Sequence, residues 1–395
     1  KDMFSTYGIK TTAGSRVLEN YIPQYSATVI SKLEDAGMVI LGKTNQDAWA
    51  HGSSGENSDF GPTLNPYDTK RVPGGSSSGS AAAVAASLCL AATGTDTGGS
   101  IRLPASFCNL VGLKPTYGRV SRYGIIAMAS SLDTIGHFTK TVWDNAAILS
   151  TTAGYDPKDA TSSTDKQVDY TQEIEKGVKG LKIGLPKEYL DGLDVKTKAI
   201  VENTAKTYEK LGAKIIDISL PHTEYGVATY YIIQPSEVSS NLGRYDGIRF
   251  GNTRESFGSE AKRRIILGTY TLSSGYYDAY YLKAQKVKRL ITEDFTNAFG
   301  TVDLILAPTA TGPAFKIGEK VNDPLAMYLA DIYTVNINIA GVPSLNIPAG
   351  FIDEMPVGIQ LIGPNFSEKN IYQAAFAYEA ETRFFERTPK IGGSV

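Results

Sequence analysis

Two serine-bearing glycine turns hold the most concentrated chemistry in the chain. The first reads Gly74-Gly-Ser-Ser-Ser-Gly-Ser80, and the second runs from Gly94-Thr-Asp-Thr-Gly-Gly-Ser100 into Ile101-Arg-Leu-Pro104. A serine becomes a nucleophile when a base takes its proton, and unobstructed backbone N–H groups can hold a developing oxyanion. The second turn offers both: Ser100 as nucleophile, and Thr97, Gly98, Gly99 and Ser100 as a nest of N–H donors. Histidine is scarce: His51, His137 and His222 are the three in the chain, and none has a catalytic signature beside it. A lysine serves as base if burial lowers its pKa from about 10.4. A second serine can relay the proton between them. The bland reading of the same residues is a pair of tight turns.

Three other motifs compete. Gly37-Met-Val-Ile-Leu-Gly-Lys-Thr44 has the letters of a phosphate-binding loop. The residues between those glycines must curl around phosphate, however, whereas Met-Val-Ile-Leu reads as a strand, and Gly37 follows a helix. Lys43 therefore reads as a surface or strand-end lysine. Asp96-Thr97-Gly98 has the letters of an aspartic-protease triplet, but that chemistry needs a second carboxylate to share the proton. The chain has no second such triplet, and Asp96 reads as structural. Gly75-Ser76-Ser77-Ser78-Gly79 has the letters of a nucleophile elbow, yet no buried strand precedes it.

The elements that must position these groups follow from periodicity. Ala81 to Ala92 is apolar without charge and predicts a buried helix between the two turns. Pro23 to Ala36 has helical spacing (Tyr25, Val29, Leu33) and ends at Gly37. A short strand is expected at Met38–Leu41, and others at Leu181–Leu185, Lys214–Leu220, Val302–Ala307, Ser344–Ala349 and Val357–Ile362. Helices are expected over Val195–Leu211, over Glu260–Phe299 with a break near Gly275, and over about Glu368–Phe385. Alternating helices and apolar strands predict an α/β fold with a sheet covered on both faces. The polar stretch from 156 to 180 is a weak boundary signal, read as a loop or subdomain edge.

The 395 residues carry a net charge of −2, so nothing argues for general nucleic-acid or membrane affinity. No apolar run approaches the roughly 18 residues of a spanning helix. Cys89 and Cys108 are too few for a disulfide scaffold and read as buried, inert thiols in a reducing compartment. No histidine pair or Cys-x-x-Cys marks a metal site.

Pro73-Gly-Gly-Ser-Ser-Ser-Gly-Ser-Ala-Ala-Ala, followed by Gly94-Thr-Asp-Thr-Gly-Gly-Ser-Ile-Arg-Leu-Pro-Ala, resembles the amidase signature family. The resemblance implies one amidase-signature domain over 1–395 whose N-terminal part precedes Lys1, with a mixed central sheet covered on both faces by helices. It implies a Ser–cisSer–Lys triad: Ser100 as the acyl-forming nucleophile, Ser76 as the bridging serine in a strained Gly75–Ser76 region, and Lys1 as the base. Lys1-Asp2 stands at the family's distance from Ser76, and Lys43 is too close.

Further stretches, among them Gly112-Leu-Lys-Pro-Thr-Tyr-Gly-Arg-Val-Ser and Gly275-Tyr-Tyr-Asp-Ala-Tyr-Tyr, are similar to the glutaminase subunits of the family's tRNA-dependent amidotransferases. By that similarity Asp331 holds the amino group of glutamine and Arg264 its carboxylate. Tyr230 lines the site, with Tyr231 the alternative. The physics is congruent: a zwitterion wants one carboxylate and one planar guanidinium. Left to themselves, Arg264 would read as a surface ion pair and Asp331 as a helix carboxylate. The similarity also implies a B-type partner that uses ATP and Mg²⁺ and makes most of the tRNA contacts, a small accessory protein in the same complex, no membrane, and a mitochondrial matrix or bacterial cytoplasm. No cofactor is implied for this chain. Two departures stand out: Ser78 sits where relatives carry glycine, and the segment between Phe250 and Lys262 is short. A stand-alone amidase of another small amide, or a non-catalytic assembly component, are the alternatives.

Overall fold

The computed structural model describes residues 1–165 and 168–390. Its frame is one eight-stranded sheet: β1 (Ala91–Asp96), β2 (Val111–Lys114), β3 (Thr134–Thr139), β4 (Lys182–Pro186), β5 (Lys214–Ile218), β6 (Leu304–Pro308), β7 (Ser344–Ile352) and β8 (Met355–Ile362). The spatial order is β1-β3-β2-β7-β8-β6-β4-β5. Among the described residues only β4 pairs in parallel, with β5 and β6; the other strand pairs are antiparallel. Every residue of β8 is buried, and all of β7 but Phe351. Successive strand residues face opposite sides, so the centre of the sheet is covered on both faces, as expected.

The helices are α1 (Thr28–Asp35), α2 (Ser78–Ala85), α3 (Arg102–Phe107), α4 (Val142–Thr152), α5 (Lys187–Leu190), α6 (Val195–Lys210), α7 (Gly226–Leu242), α8 (Ser259–Thr271), α9 (Lys283–Phe299), α10 (Pro324–Tyr328), α11 (Val335–Ala340) and α12 (Glu368–Thr382). Helix α4 packs on β3, α12 on β7 and α4, and α6 on β5, β6 and β7. Helix α3 lies against β2, β7 and β8, while α7 packs on α8, α9 and α11. A π-helical turn, Asp278–Leu282, separates α8 from α9 near the expected break.

Three expectations fail, each for a physical reason. The apolar segment after the first turn is helical only to Ala85, because Ala91 and Ala92 are the first residues of β1 and pair with β3. Its last leucine, Leu90, is 92% exposed. Met38–Leu41 is not a strand: no partner strand among the described residues reaches it, and Val39 is 81% exposed. Helix α1 begins at Thr28, which leaves Tyr25 outside it and exposed. Gly37 does end that helix, in a left-handed conformation with φ +88°. The 156–180 stretch is loop among its described residues, pinned by buried Tyr170, Ile174 and Val178. Cys108 is buried and Cys89 only half-buried.

Candidate active site

The two serine turns meet at the end of β1. Strand β1 runs into the Thr97–Ser100 turn, which opens α3, while the first turn opens α2. The Ser77 N–H donates to the Ser100 carbonyl at 3.2 Å, which ties one turn to the other. The Gly75–Ser76 peptide is cis. Lys1 reaches in from the side: its Nζ donates to Ser76 Oγ at 2.8 Å and to Thr95 Oγ1 at 2.7 Å. Burial lowers the Lys1 pKa to about 7, against the opposing pull of Asp47, Asp96 and Asp133. An amine that is half neutral near pH 7 can accept a proton, which an ordinary lysine cannot.

Asp96 is structural, as expected, and it shapes the nucleophile turn. Its carboxylate accepts the N–H groups of Gly99 at 2.9 Å and Ile101 at 3.1 Å, and it pairs with Arg102 at 3.0 Å, both side chains fully buried. Burial alone would raise its pKa, but the Arg102 charge and the hydrogen bonds from Arg102 and Asn338 hold it at about 2. Arg102 also donates to Gln360 on β8 and to the Thr334 carbonyl, which anchors the turn to the middle of the sheet. Removing the guanidinium would leave a buried, unpaired carboxylate. Arg102→Leu is therefore expected to lower unfolding stability by about 3–5 kcal/mol, read as a fall in the urea midpoint at unchanged slope.

This network corrects one expectation. The Gly99 N–H points to Asp96 and not into the nest, so the donors left in the turn are Thr97, Gly98 and Ser100. Gly99 is still required. Its φ is +135°, and a Cβ there would fall 2.4 Å from Thr334 Oγ1. A Cβ on Gly98 would fall 2.7 Å from the Tyr230 ring. The hydroxyl of Thr97 donates to Asp133 at 2.7 Å, a carboxylate that also accepts the Met128 and Ala129 N–H groups.

Asp331 and Arg264 come together beside this turn, and neither is a surface residue. Ser53 donates to both Asp331 oxygens, at 2.8 and 2.9 Å. The tyrosine that touches them is Tyr231, not Tyr230. Its hydroxyl donates to Asp331 at 3.0 Å, and the Arg264 guanidinium lies 5.5 Å from its ring centre. Tyr230 instead covers Gly98, because the next residue on a helix points about 100° away. Burial raises the Asp331 pKa to about 7 against the Ser53 and Tyr231 hydrogen bonds and the Arg264 charge. A carboxylate held this high favours a cationic partner. Thr334 links this pair to the nucleophile turn by donating to the Gly98 carbonyl at 2.6 Å and to the Asp331 carbonyl at 3.1 Å.

Two groups at the site left no mark in the sequence motifs. Thr95 shares the Lys1 amine with Ser76. Asp47 is fully buried; its N–H donates to the Ser76 carbonyl at 3.1 Å, and its carboxylate accepts from Gly55 and Asn57. A Cβ on Gly75 would fall 2.0 Å from that carboxylate, so only glycine fits there. Lys43 is neither exposed nor a strand end. Its amine pairs with Asp2 at 3.0 Å and donates to the Phe4 carbonyl and Thr11, fixing the segment that follows Lys1. His137 is bonded to Thr152 and His222 to Asp294, both apart from the serines. Among the described residues no three His, Cys, Asp or Glu side chains gather as a metal site, and no helix is long and apolar enough to cross a membrane.

The family model described as Amidase matches residues 1–372. The chain belongs to the amidase family. Among related amidases, it is 56% identical over 407 aligned residues to the A-type subunit of glutamyl-tRNA(Gln) amidotransferase from Carboxydothermus hydrogenoformans, covering 99% of this chain and 84% of that one. The corresponding protein of Persephonella marina is also 56% identical, with the same coverage. The crystal structure of its counterpart from Thermotoga maritima superposes with a TM-score of 0.89 at 47% identity, covering 100% of this amidase and 85% of the other. The native peptide amidase of Stenotrophomonas maltophilia is more distant, at 32% identity and a TM-score of 0.83, covering 97% and 82%.

Proposed function

We propose that this chain is the glutaminase subunit of a glutamyl-tRNA(Gln) amidotransferase. The observation that carries the reading is its whole-length likeness to the A-type subunits of that enzyme. The gathering of Asp331 and Arg264 around Tyr231 beside the serine turns supports it.

In the proposed mechanism neutral Lys1 takes the proton of Ser76 as Ser76 takes that of Ser100. The Ser100 oxygen attacks the side-chain carboxamide of glutamine, and the oxyanion is held by N–H groups of the Thr97–Ser100 turn. The carbon–nitrogen bond breaks, the proton returns to the leaving nitrogen, and ammonia departs. Water then hydrolyses the glutamyl–Ser100 ester, releasing glutamate and restoring the serine. The hydrogen bond from Lys1 to Ser76 supports this order, as does the engagement of His137 and His222 away from the serines.

Ammonia then passes to a B-type partner, with a small accessory protein in the complex. The partner uses ATP and Mg²⁺ to activate the glutamate on mis-acylated tRNA and makes most of the tRNA contacts. The relatives named are bacterial, which supports a bacterial cytoplasm over a mitochondrial matrix. The native complex, given amide-¹⁵N glutamine, ATP and Glu-tRNA(Gln), is expected to place the label in Gln-tRNA(Gln). Ammonia from some other amide and none from glutamine would move the chain to the general amidases.

A further inference from the structure

Arg264 is a buried cation with two of its three nitrogens already engaged. Nε donates to Glu260 at 2.8 Å, and Nη1 donates to the Gln234 side-chain oxygen at 3.0 Å. Guanidinium only donates, so the oxygen of the Gln234 amide must be the atom facing Arg264. The other end of that amide, Nε2, is buried and has no hydrogen-bond partner among the described residues. A buried N–H without an acceptor is costly, and it points to a ligand that supplies one. Gln234 stands one turn along α7 from Tyr230 and Tyr231, on the face that presents Tyr231 to Asp331 and Tyr230 to Gly98. His51 adds to the picture. It is fully buried, neither ring nitrogen has a partner among the described residues, and it lies two residues before the Ser53 that holds Asp331. Burial, then the nearby Arg264 charge, keep its imidazole neutral, so it does not compete with Arg264 for an anion.

We propose that Gln234 is a specificity-determining residue, fixing the plane of the Arg264 guanidinium through its oxygen and donating Nε2–H to the same substrate carboxylate. The inference rests on the reading of glutamine as substrate. It assigns to α7 a second donor for the α-carboxylate, so that the carboxylate is gripped from both α7 and α8. It also distinguishes Gln234 from Glu260, which only orients Arg264 through Nε.

The test is steady-state ammonia release by the native complex carrying wild type, Gln234→Ala or Gln234→Glu. Two substrates are used: glutamine, and 4-aminobutanamide, which is glutamine without its carboxylate. A hydrogen bond to a charged group is worth roughly tenfold to a hundredfold in binding. Gln234→Ala is expected to raise the KM for glutamine about tenfold with kcat within about twofold of wild type. Gln234→Glu, of the same size, puts a rival carboxylate on Arg264 and is expected to raise it about a hundredfold. Neither should change kcat/KM for 4-aminobutanamide by more than about twofold, which also shows that both variants fold. An unchanged KM for glutamine overturns the proposal, as does an equal fall on both substrates, which would mark a structural role. Wild type that hydrolyses 4-aminobutanamide but not glutamine overturns the functional reading itself, and the wild-type arm alone reveals that outcome.

Discussion

Ser100→Ala abolishes ammonia release from glutamine: the expected fall in kcat is at least about 10⁴-fold, since removing a serine nucleophile from a coupled triad costs up to about a million-fold. The turn that carries Ser100 is held by backbone donors and by the Asp96–Arg102 pair, none of which uses the Ser100 side chain. The variant should therefore fold and bind glutamine normally. Two measurements check this together: the glutaminase rate, and trapping of the glutamyl ester by rapid quench with radiolabelled glutamine. Wild type should form a covalent adduct and the variant none. A variant that retains more than a few per cent of wild-type turnover would place the nucleophile elsewhere.

Lys1→Met is expected to be almost as damaging, and its pH profile identifies the reason. With a pKa lowered to about 7, Lys1 is an ammonium below that pH and cannot accept the Ser76 proton; above it the amine is free. Wild-type kcat should rise with pH through about 7 and then level. Lys1→Arg, fixed in the charged form, should be as inactive as Lys1→Met, with a loss on the order of 10³- to 10⁴-fold and no ascending limb. Asp331 also titrates near 7 and bears on glutamine binding, so the profile is read in kcat at saturating glutamine. An ascending limb that survives in Lys1→Met would remove the lysine from the proton path. Lys43 cannot serve as a neutral control, because its amine is tied to Asp2, Phe4 and Thr11.

The chemistry was more legible in the chain than the frame that carries it. Strands β4 to β8 are rich in Ile, Leu and Val and stand out by composition. Strands β1 to β3 do not: Ala91-Ala-Thr-Gly-Thr-Asp, Val111-Gly-Leu-Lys and Thr134-Ile-Gly-His-Phe-Thr are small or polar. Their strand character comes from sheet partners distant in sequence. Helix α7, which carries Pro235 inside it, is not among the expected elements. At Met38–Leu41 the error ran the other way, since an apolar run is only a strand where another strand meets it. Within the site, residue types pointed to Ser100 and its turn, whereas Ser76, Lys1, Asp331 and Arg264 entered through the family resemblance; read alone, Asp331 and Arg264 look like a helix carboxylate and a surface ion pair. The choice of Tyr231 over Tyr230 depends on helix phase, and the loss of the Gly99 donor depends on where Asp96 points. Neither is written in a spacing.

The hydrogen bonds that build this site join residues far apart along the chain: Ser53 with Asp331, Arg102 with Gln360, and Thr334 with Gly98. Such closures are slow, because each must overcome the entropy of a long loop before it is rewarded. During synthesis the serine turns leave the ribosome early, but their latch and their substrate pocket are supplied by residues that emerge more than two hundred positions later. A half-made chain therefore carries the nucleophile without the residues that complete its pocket.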